Sequence, residues 1–212
     1  IMDGCDSGDV DSPLFPHAPK AWDGAAKIDS KYGGILWHGG GKDSEVPSRF
    51  YLYNVDNRQT KGANFWCTTF MHNLVQEEQR RLTLSNGKYG LPPILYIQAD
   101  NGSGDLKNYA FMHLAEALVR SGRFLKIKVS FLPVGHTHED IDACFGRLSQ
   151  KVRKMGFVVR HFKDCVKVCK KATCCSHDEL YCIQVTHSPE NESQSNATFT
   201  SGLFQLGQVR TT

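Results

Sequence analysis

The groups most able to do chemistry in this sequence stand in one string, Phe131-Leu-Pro-Val-Gly-His-Thr-His-Glu-Asp-Ile-Asp142, and at Asp100 in Gln98-Ala-Asp-Asn101. His138 and Asp142 are four apart, so a helix would present them on one face. His136 precedes them on the turn into that helix. Asp100 closes an apolar run, and open α/β sheets place their ligand sites at the carboxyl ends of strands. Asp3 and Asp6 end the first apolar segment, and a sheet with that segment beside the Asp100 strand would bring these carboxylates together. Converging carboxylates repel unless a cation neutralises them. Mg²⁺ takes carboxylate oxygens and keeps its waters for phosphate. Two such ions can stabilise the attacking and leaving oxygens of a phosphodiester displacement. His136 and His138 could bind metal or move protons, and imidazole with carboxylate also suits Zn²⁺ or Mn²⁺.

The elements needed to position these groups are legible from periodicity. Ile1 onward starts as a strand. Tyr32–His38 and Arg49–Val55 read as two more, the second alternating Phe50 and Leu52 against Tyr51 and Tyr53. Ala63–Leu82 reads as a helix, with Trp66, Phe70 and Leu74 on one face and charge clustered at Glu77–Arg81. Asn86-Gly87 marks a turn. Pro93–Asp100 is apolar enough for a strand buried on both faces. Asp105–Ser121 is helical, with Phe111, Leu114, Ala115 and Leu118 on one face and Gly122 as its stop. Phe124–Leu132 alternates apolar residues with Lys126, Lys128 and Ser130, as a strand near the sheet edge does. Thr137 to Asp140 fits a capping box before the helical run Ile141, Phe145, Leu148, Val152 and Met155. A short basic helix over 157–171 and a strand over Leu180–Val185 follow, and 188–201 is polar. The expected fold is α/β: a mixed sheet flanked by helices.

Composition narrows the class less than the motifs do. The chain has 212 residues, 40% of them hydrophobic, and a net charge of +3. That allows one sizeable core and does not by itself mark a nucleic-acid binder. No apolar run approaches the ~20 residues of a membrane span. The chain opens at Ile1 directly in a strand, as expected of one missing an upstream part. Eight cysteines without a secretory leader favour a reducing, intracellular compartment, with Cys5, Cys67 and Cys144 as buried free thiols.

The run Leu91–Asn101, then Lys107-Asn108, then Phe131–Ser149 resembles a family of uncharacterised eukaryotic domains found in transposon-derived gene models, with cores of RNase H-like, transposase type. Ile1–Asp6 and Gly33–His38 match its opening strands, so the resemblance covers roughly residues 1–170. The Gly135-His-Thr-His-x-x-x-Asp142 string is its most specific part. The resemblance implies an RNase H-like sheet over 1–172, with 173–212 as a partly disordered extension. It implies an acidic triad of Asp6, Asp100 and Asp142 holding Mg²⁺ or Mn²⁺, with His136 as a further metal ligand and His138 at the reaction. Asn101, Lys107 and Asn108 would contact substrate. The implied activity is cleavage or strand transfer at DNA phosphodiesters, in the nucleus, in a chain that could form homo-oligomers. Ser7, Asp9, Gly102 and Leu106 stand where the family carries other, mostly polar residues. These departures motivate an alternative: a domesticated, catalytically inactive domain that binds nucleic acid or another partner. A third reading makes the chain a transition-metal hydrolase with His136 and His138 as direct ligands.

Each of these residues also has a plainer use. Asp100 can be a turn acid, Asp142 can complement the helix dipole, His136 and His138 can hydrogen-bond the turn, and Thr137 can be an N-cap. Asp3 reads as a structural neighbour. Cys165, Cys169, Cys174, Cys175 and Cys182 with His161 and His177 offer enough ligands for structural zinc, but in no paired Cys-x2-Cys spacing. The basic residues from Arg147 to Lys171 form a solvated face or, beside a metal site, a track for a phosphate backbone.

Overall fold

The computed structural model describes residues 1–4, 31–39, 46–55, 62–100, 106–132, 140–155, 164, 179–186 and 205–208. In chain order the elements are β1 (Met2–Gly4), β2 (Lys31–Trp37), β3 (Arg49–Val55), α1 (Ala63–Leu84), β4 (Ile94–Ala99), α2 (Tyr109–Arg120), β5 (Lys126–Phe131), α3 (Asp140–Met155), β6 (Glu179–Thr186) and β7 (Gln205–Gln208). The strands make one mixed sheet in the order β5-β4-β1-β2-β3-β6-β7. β2 is antiparallel to both β1 and β3, whereas β1–β4, β4–β5 and β3–β6 are parallel. β7 closes the far edge antiparallel to β6. The chain is therefore α/β, as its periodicity predicts.

Two adjacent glycines of β2 show how the helices are layered. Neighbouring strand residues point to opposite faces. A Cβ on Gly33 would lie 2.9 Å from Phe65 and 3.0 Å from Trp66, both on α1. One on Gly34 would lie 2.7 Å from Phe145 and 3.1 Å from Ile141, both on α3. α1 and α3 thus press on opposite faces, each closer to the sheet than a side chain there would allow. On the α1 face, Phe65, Trp66, Phe70 and Leu74 pack with Tyr51, Tyr53, Leu95, Ile97 and Ala99. α2 joins through Phe111 and Leu118, and Phe70 meets Phe111 with ring centroids 5.3 Å apart. Burying each such side chain contributes about 1.5–3 kcal/mol. On the other face α3 buries Ile141, Cys144, Phe145 and Leu148, and Phe145 meets Phe50 edge-on at 5.5 Å.

The helix ends have local causes. Asn108 caps α2 by accepting a hydrogen bond from the Phe111 amide at 2.9 Å. Gly122, at φ 75°, follows the last turn. After α1, Asn86 and Gly87 take φ 51° and 82°, and the Gly87 amide returns to the Leu82 carbonyl at 2.7 Å. The Asn-Gly turn stands where the sequence marks it.

The inner face of α1 is unusually polar. Glu77 is fully buried, and its carboxylate accepts from Arg80 at 2.7 and 2.8 Å, from Arg81 at 2.8 Å and from the Tyr51 hydroxyl at 3.2 Å. Burial and the Glu77 charge push the Tyr51 hydroxyl pKa up to about 12. Trp37 Nε1 donates to Asn73 Oδ1, and Asn73 Nδ2 donates to the Tyr53 hydroxyl at 3.1 Å. The charge clustered at Glu77–Arg81 is partly core.

The structure corrects one expectation about β4. Its apolar run predicts burial on both faces, but only Leu95, Ile97 and Ala99 are buried. Ile94 is 41% and Tyr96 67% exposed. α1 and α2 cover one face. On the other face α3 packs over β2 and β3, so among the described residues nothing covers the outer side of β4. β5 lies at the sheet edge as predicted. The C-terminal extension supplies β6 and β7 to the same sheet. Cys144 is a buried thiol, as expected, whereas Cys67 is only half-buried. The basic stretch over 157–163, the cysteines from Cys165 to Cys175 and the polar run 188–201 lie outside the described residues, as does Cys5.

Candidate functional site

The site is assembled by a single register. In the parallel β1–β4 ladder, Met2 pairs with Ala99. Asp3 is the next residue on β1, and Asp100 is the next after β4. Asp3 also pairs across the antiparallel ladder with Gly34. Cross-strand partners share a face, so Asp3 stands on the face over which α3 packs. The Gly4 amide donates to Asp3 Oδ1 at 2.7 Å, which fixes the carboxylate at the strand end. Asp100 is exposed, at the carboxyl end of β4.

α3 reaches the same neighbourhood. Its first turn carries Asp140 and Asp142, where acids complement the helix dipole. Ile141 between them sits against Gly34, the residue opposite Asp3. Asp142 is half-buried, whereas Ile141 is fully buried. Asp140 turns instead toward His38, with Oδ2 3.8 Å from Nε2. The helix start is therefore pinned to the end of β2 and to the middle of the β1–β2 ladder together. Two strand ends and one helix start thus place Asp3, Asp100 and Asp142 toward one face of the sheet.

The expected site residues divide into two groups. Asp100, Asp142, Lys107 and Asn108 are described. Asp6, Asn101, His136, Thr137 and His138 lie outside the described residues. Among the described residues, no three His, Cys, Asp or Glu side chains form a metal-binding group. Asp6, His136 and His138, the remaining expected donors, are in segments that adjoin β1 and α3. Lys107 is exposed, and its Nζ stands 5.6 Å from the centroid of the Phe131 ring at the carboxyl end of β5. Asn108, expected to contact substrate, has its side-chain oxygen on the first turn of α2. Leu106 is buried in the core cluster.

Some neighbours of the site escape a sequence reading. Asp3, read as a structural neighbour, is the acid that the ladder sets beside Asp100. His38, at the end of β2, is the partner of Asp140. Tyr96 and Lys128 pair in register on the open face, with Nζ 5.0 Å from the ring centroid. The alternation around Lys126, Lys128 and Ser130 is the sequence signal that could have drawn Tyr96 out, had the register of β4 on β5 been known. A groove of about 570 Å³ lies there, lined by Ile1, His38, Tyr96, Gln98, Lys128 and Ser130 among others.

No helix among the described residues is long and apolar enough to cross a membrane. No curated protein and no solved structure matches the chain. Residues 20–200 match a family described as a domain of unknown function, DUF7869. The matched span starts after β1 and runs past β6, so it includes Asp100, Asp142 and the whole His136–Asp142 string, while Asp3 and Asp6 precede it. With most of its length in that match, the chain belongs to the DUF7869 family.

Proposed function

We propose that this chain is an RNase H-like, transposase-type domain that cleaves or joins DNA at phosphodiester bonds with Mg²⁺ or Mn²⁺. One observation carries the reading: the Met2–Ala99 pairing puts β1 beside β4 in parallel, with Asp3 and Asp100 as the next residues on the two strands, and the Asp142 turn of α3 lies over the adjoining β1–β2 ladder. The element order, three strands and then alternating helices and strands, is also the order in which RNase H-like domains are built.

In this reading Asp6, Asp100 and Asp142 hold the ions, with Asp3 beside them and His136 as a further donor. Such ions would supply charge stabilisation to the attacking and leaving oxygens. His138, four residues before Asp142, would line the site and move a proton at one of those oxygens. Lys107, Asn101 and Asn108 would hold substrate near the ends of β4 and β5. The domain would work on nuclear DNA. The test is cleavage and strand-transfer assays with Mg²⁺ and Mn²⁺, beside calorimetric titration of each ion. Activity and binding heat that both vanish in Asp142→Ala and Asp100→Ala support the reading. Absence of both in the wild-type chain sinks it.

A second reading has a specific observation in its favour. Leu106 fills the core before Lys107-Asn108, at a position where the resemblance implies a polar residue. Loss of polar neighbours around Asp100 fits a domesticated domain that binds nucleic acid without turning it over. DNA binding without metal heat would select this alternative.

A further inference from the structure

The face of β4 and β5 that α3 leaves open has a pattern of its own. Ile94 pairs with Lys126, Tyr96 with Lys128 and Gln98 with Ser130. Their buried neighbours Leu95, Ile97 and Ala99 point the other way. The outer row is thus apolar, aromatic and amide on β4, and cationic and hydroxyl on β5. Tyr96 at its centre is 67% exposed. The groove beside it adds His38, whose Nε2 lies 3.8 Å from Asp140, and among the described residues no carboxylate lines the groove itself. Asp100 lies four residues farther along, about 13 Å at strand rise.

Lysines on an edge strand discourage sheet-to-sheet pairing, which accounts for Lys126 and Lys128 alone. It does not account for a tyrosine that stands two-thirds exposed beside Lys128 in the groove. A single exposed aromatic is ordinary. A tyrosine in register with a lysine, in a groove that runs along β4 toward the strand-end acids, combines a stacking surface with a positive track.

We propose that this face docks single-stranded DNA, with a base stacked on Tyr96 and the adjoining phosphates on Lys126 and Lys128. The inference rests on the DNA reading of the strand-end acids and supplies their substrate with an approach. Stacking accepts any base, because every base has a π face. Lys128 Nζ covers the Tyr96 ring in the free protein and moves to phosphate as a base takes the ring face. Gln98 and Ser130 then meet sugar and base edges on the way to Asp100.

The test is fluorescence anisotropy of a labelled oligo-dT with the full chain, in EDTA and without divalent ions, over a range of salt. Tyr96→Ala is expected to weaken binding roughly 10-fold. Tyr96→Phe keeps the ring and stays within about twofold. Lys126→Gln with Lys128→Gln weakens binding and flattens the salt slope by roughly 1.4, about 0.7 for each lost phosphate contact on a single strand. Duplex DNA of the same sequence is indifferent to Tyr96→Ala. The proposal is overturned if the wild-type chain does not hold the oligonucleotide, or if Tyr96→Ala binds it as well. It is also overturned if Tyr96→Ala splits a dimer in sedimentation while DNA affinity is unchanged, since the face would then belong to a second copy. Because no ion is present, failure here leaves the metal reading of Asp100 and Asp142 intact. Loss of metal heat in the wild-type chain, conversely, leaves this platform standing.

Discussion

Ile141 of α3 rests on Gly34 of β2, where a Cβ would come within 3.1 Å of its Cδ1. Gly34 faces Asp3 across the ladder, so this contact sets the height of the Asp142 turn above the strand-end acids. Gly34→Ala drives a methyl into Phe145, Phe50 and Ile141, and is expected to cost about 1–3 kcal/mol. Gly146, exposed on the same helix with open space around it, gives the opposite sign. Gly146→Ala is expected to stabilise by about 0.5–1 kcal/mol. Urea midpoints of the two variants check both, and a neutral Gly34→Ala would mean that α3 does not press on β2.

Glu77 is enclosed by Arg80, Arg81 and the Tyr51 hydroxyl. Removing it strands a buried guanidinium, so Glu77→Ala is expected to cost about 3–5 kcal/mol. The paired replacement Glu77→Met with Arg80→Leu should recover most of that loss, because neither charge then remains. Equilibrium denaturation of the single and double variants measures the difference.

Asn108 is both a cap and an expected substrate contact, and two substitutions separate the roles. Asn108→Ala should cost about 1 kcal/mol of stability through the α2 cap. Asn108→Ser keeps a capping oxygen and should keep the stability. If Asn108→Ser melts like the wild-type chain yet binds DNA more weakly, the side chain touches substrate as well.

Desolvation by burial lowers the His72 pKa below its ordinary value. Its Nδ1 lies 3.3 Å from the Tyr53 hydroxyl, and its Nε2 is buried without a hydrogen-bond partner among the described residues. The fold therefore holds the ring neutral, while the unfolded chain takes up a proton near pH 6.5. Between the lowered and the ordinary pKa the unfolded state binds more protons, so this part of the stability is complete above about pH 6.5 and is lost as pH falls below it. Urea midpoints should drop between pH 7.5 and 5.5, and the drop should shrink in His72→Gln. An equal drop in both proteins would remove His72 as the cause.

Burial raises the Cys67 thiol to about 11. At pH 8 its thiolate is scarcer by roughly 100-fold than in a chain with the ordinary value, and alkylation follows the thiolate. Iodoacetamide should label Cys67 slowly in the native chain and quickly in urea, as read by peptide mass spectrometry. Fast native labelling would place Cys67 at the surface.

Much of the fold is legible because local pattern and tertiary burial agree. Arg49–Val55 alternates, and it is β3 to the residue. The Asn86-Gly87 turn and the Gly122 stop need backbone angles that glycine takes without strain, and they sit where composition puts them. The failures come from partners distant in sequence. Tyr96 belongs to an apolar run, but its exposure depends on α3 lying over β2 and β3 instead of over β4. The burial of Glu77 and Arg80 is not visible in their charge cluster, because Tyr51 and Pro47, which enclose them, come from elsewhere in the chain. The short β7, Gln205–Gln208, has no apolar alternation and exists as an edge on β6. At the site, Asp100 could be found as a strand-end acid. That Asp3 stands beside it depends on a register between strands almost a hundred residues apart, which no local pattern encodes.

β1 is three residues long and lies inside the sheet, third from one edge. On one side lie β4 and β5, and on the other lie β2, β3, β6 and β7. The strand is thus a narrow seam between two cooperative blocks, and amides along it should exchange with solvent sooner than those of β3. Asp3 stands on that seam and Asp100 at its border. A ligand that engages both would rivet the blocks together, so its binding would register as slowed exchange along β1 before any chemistry takes place.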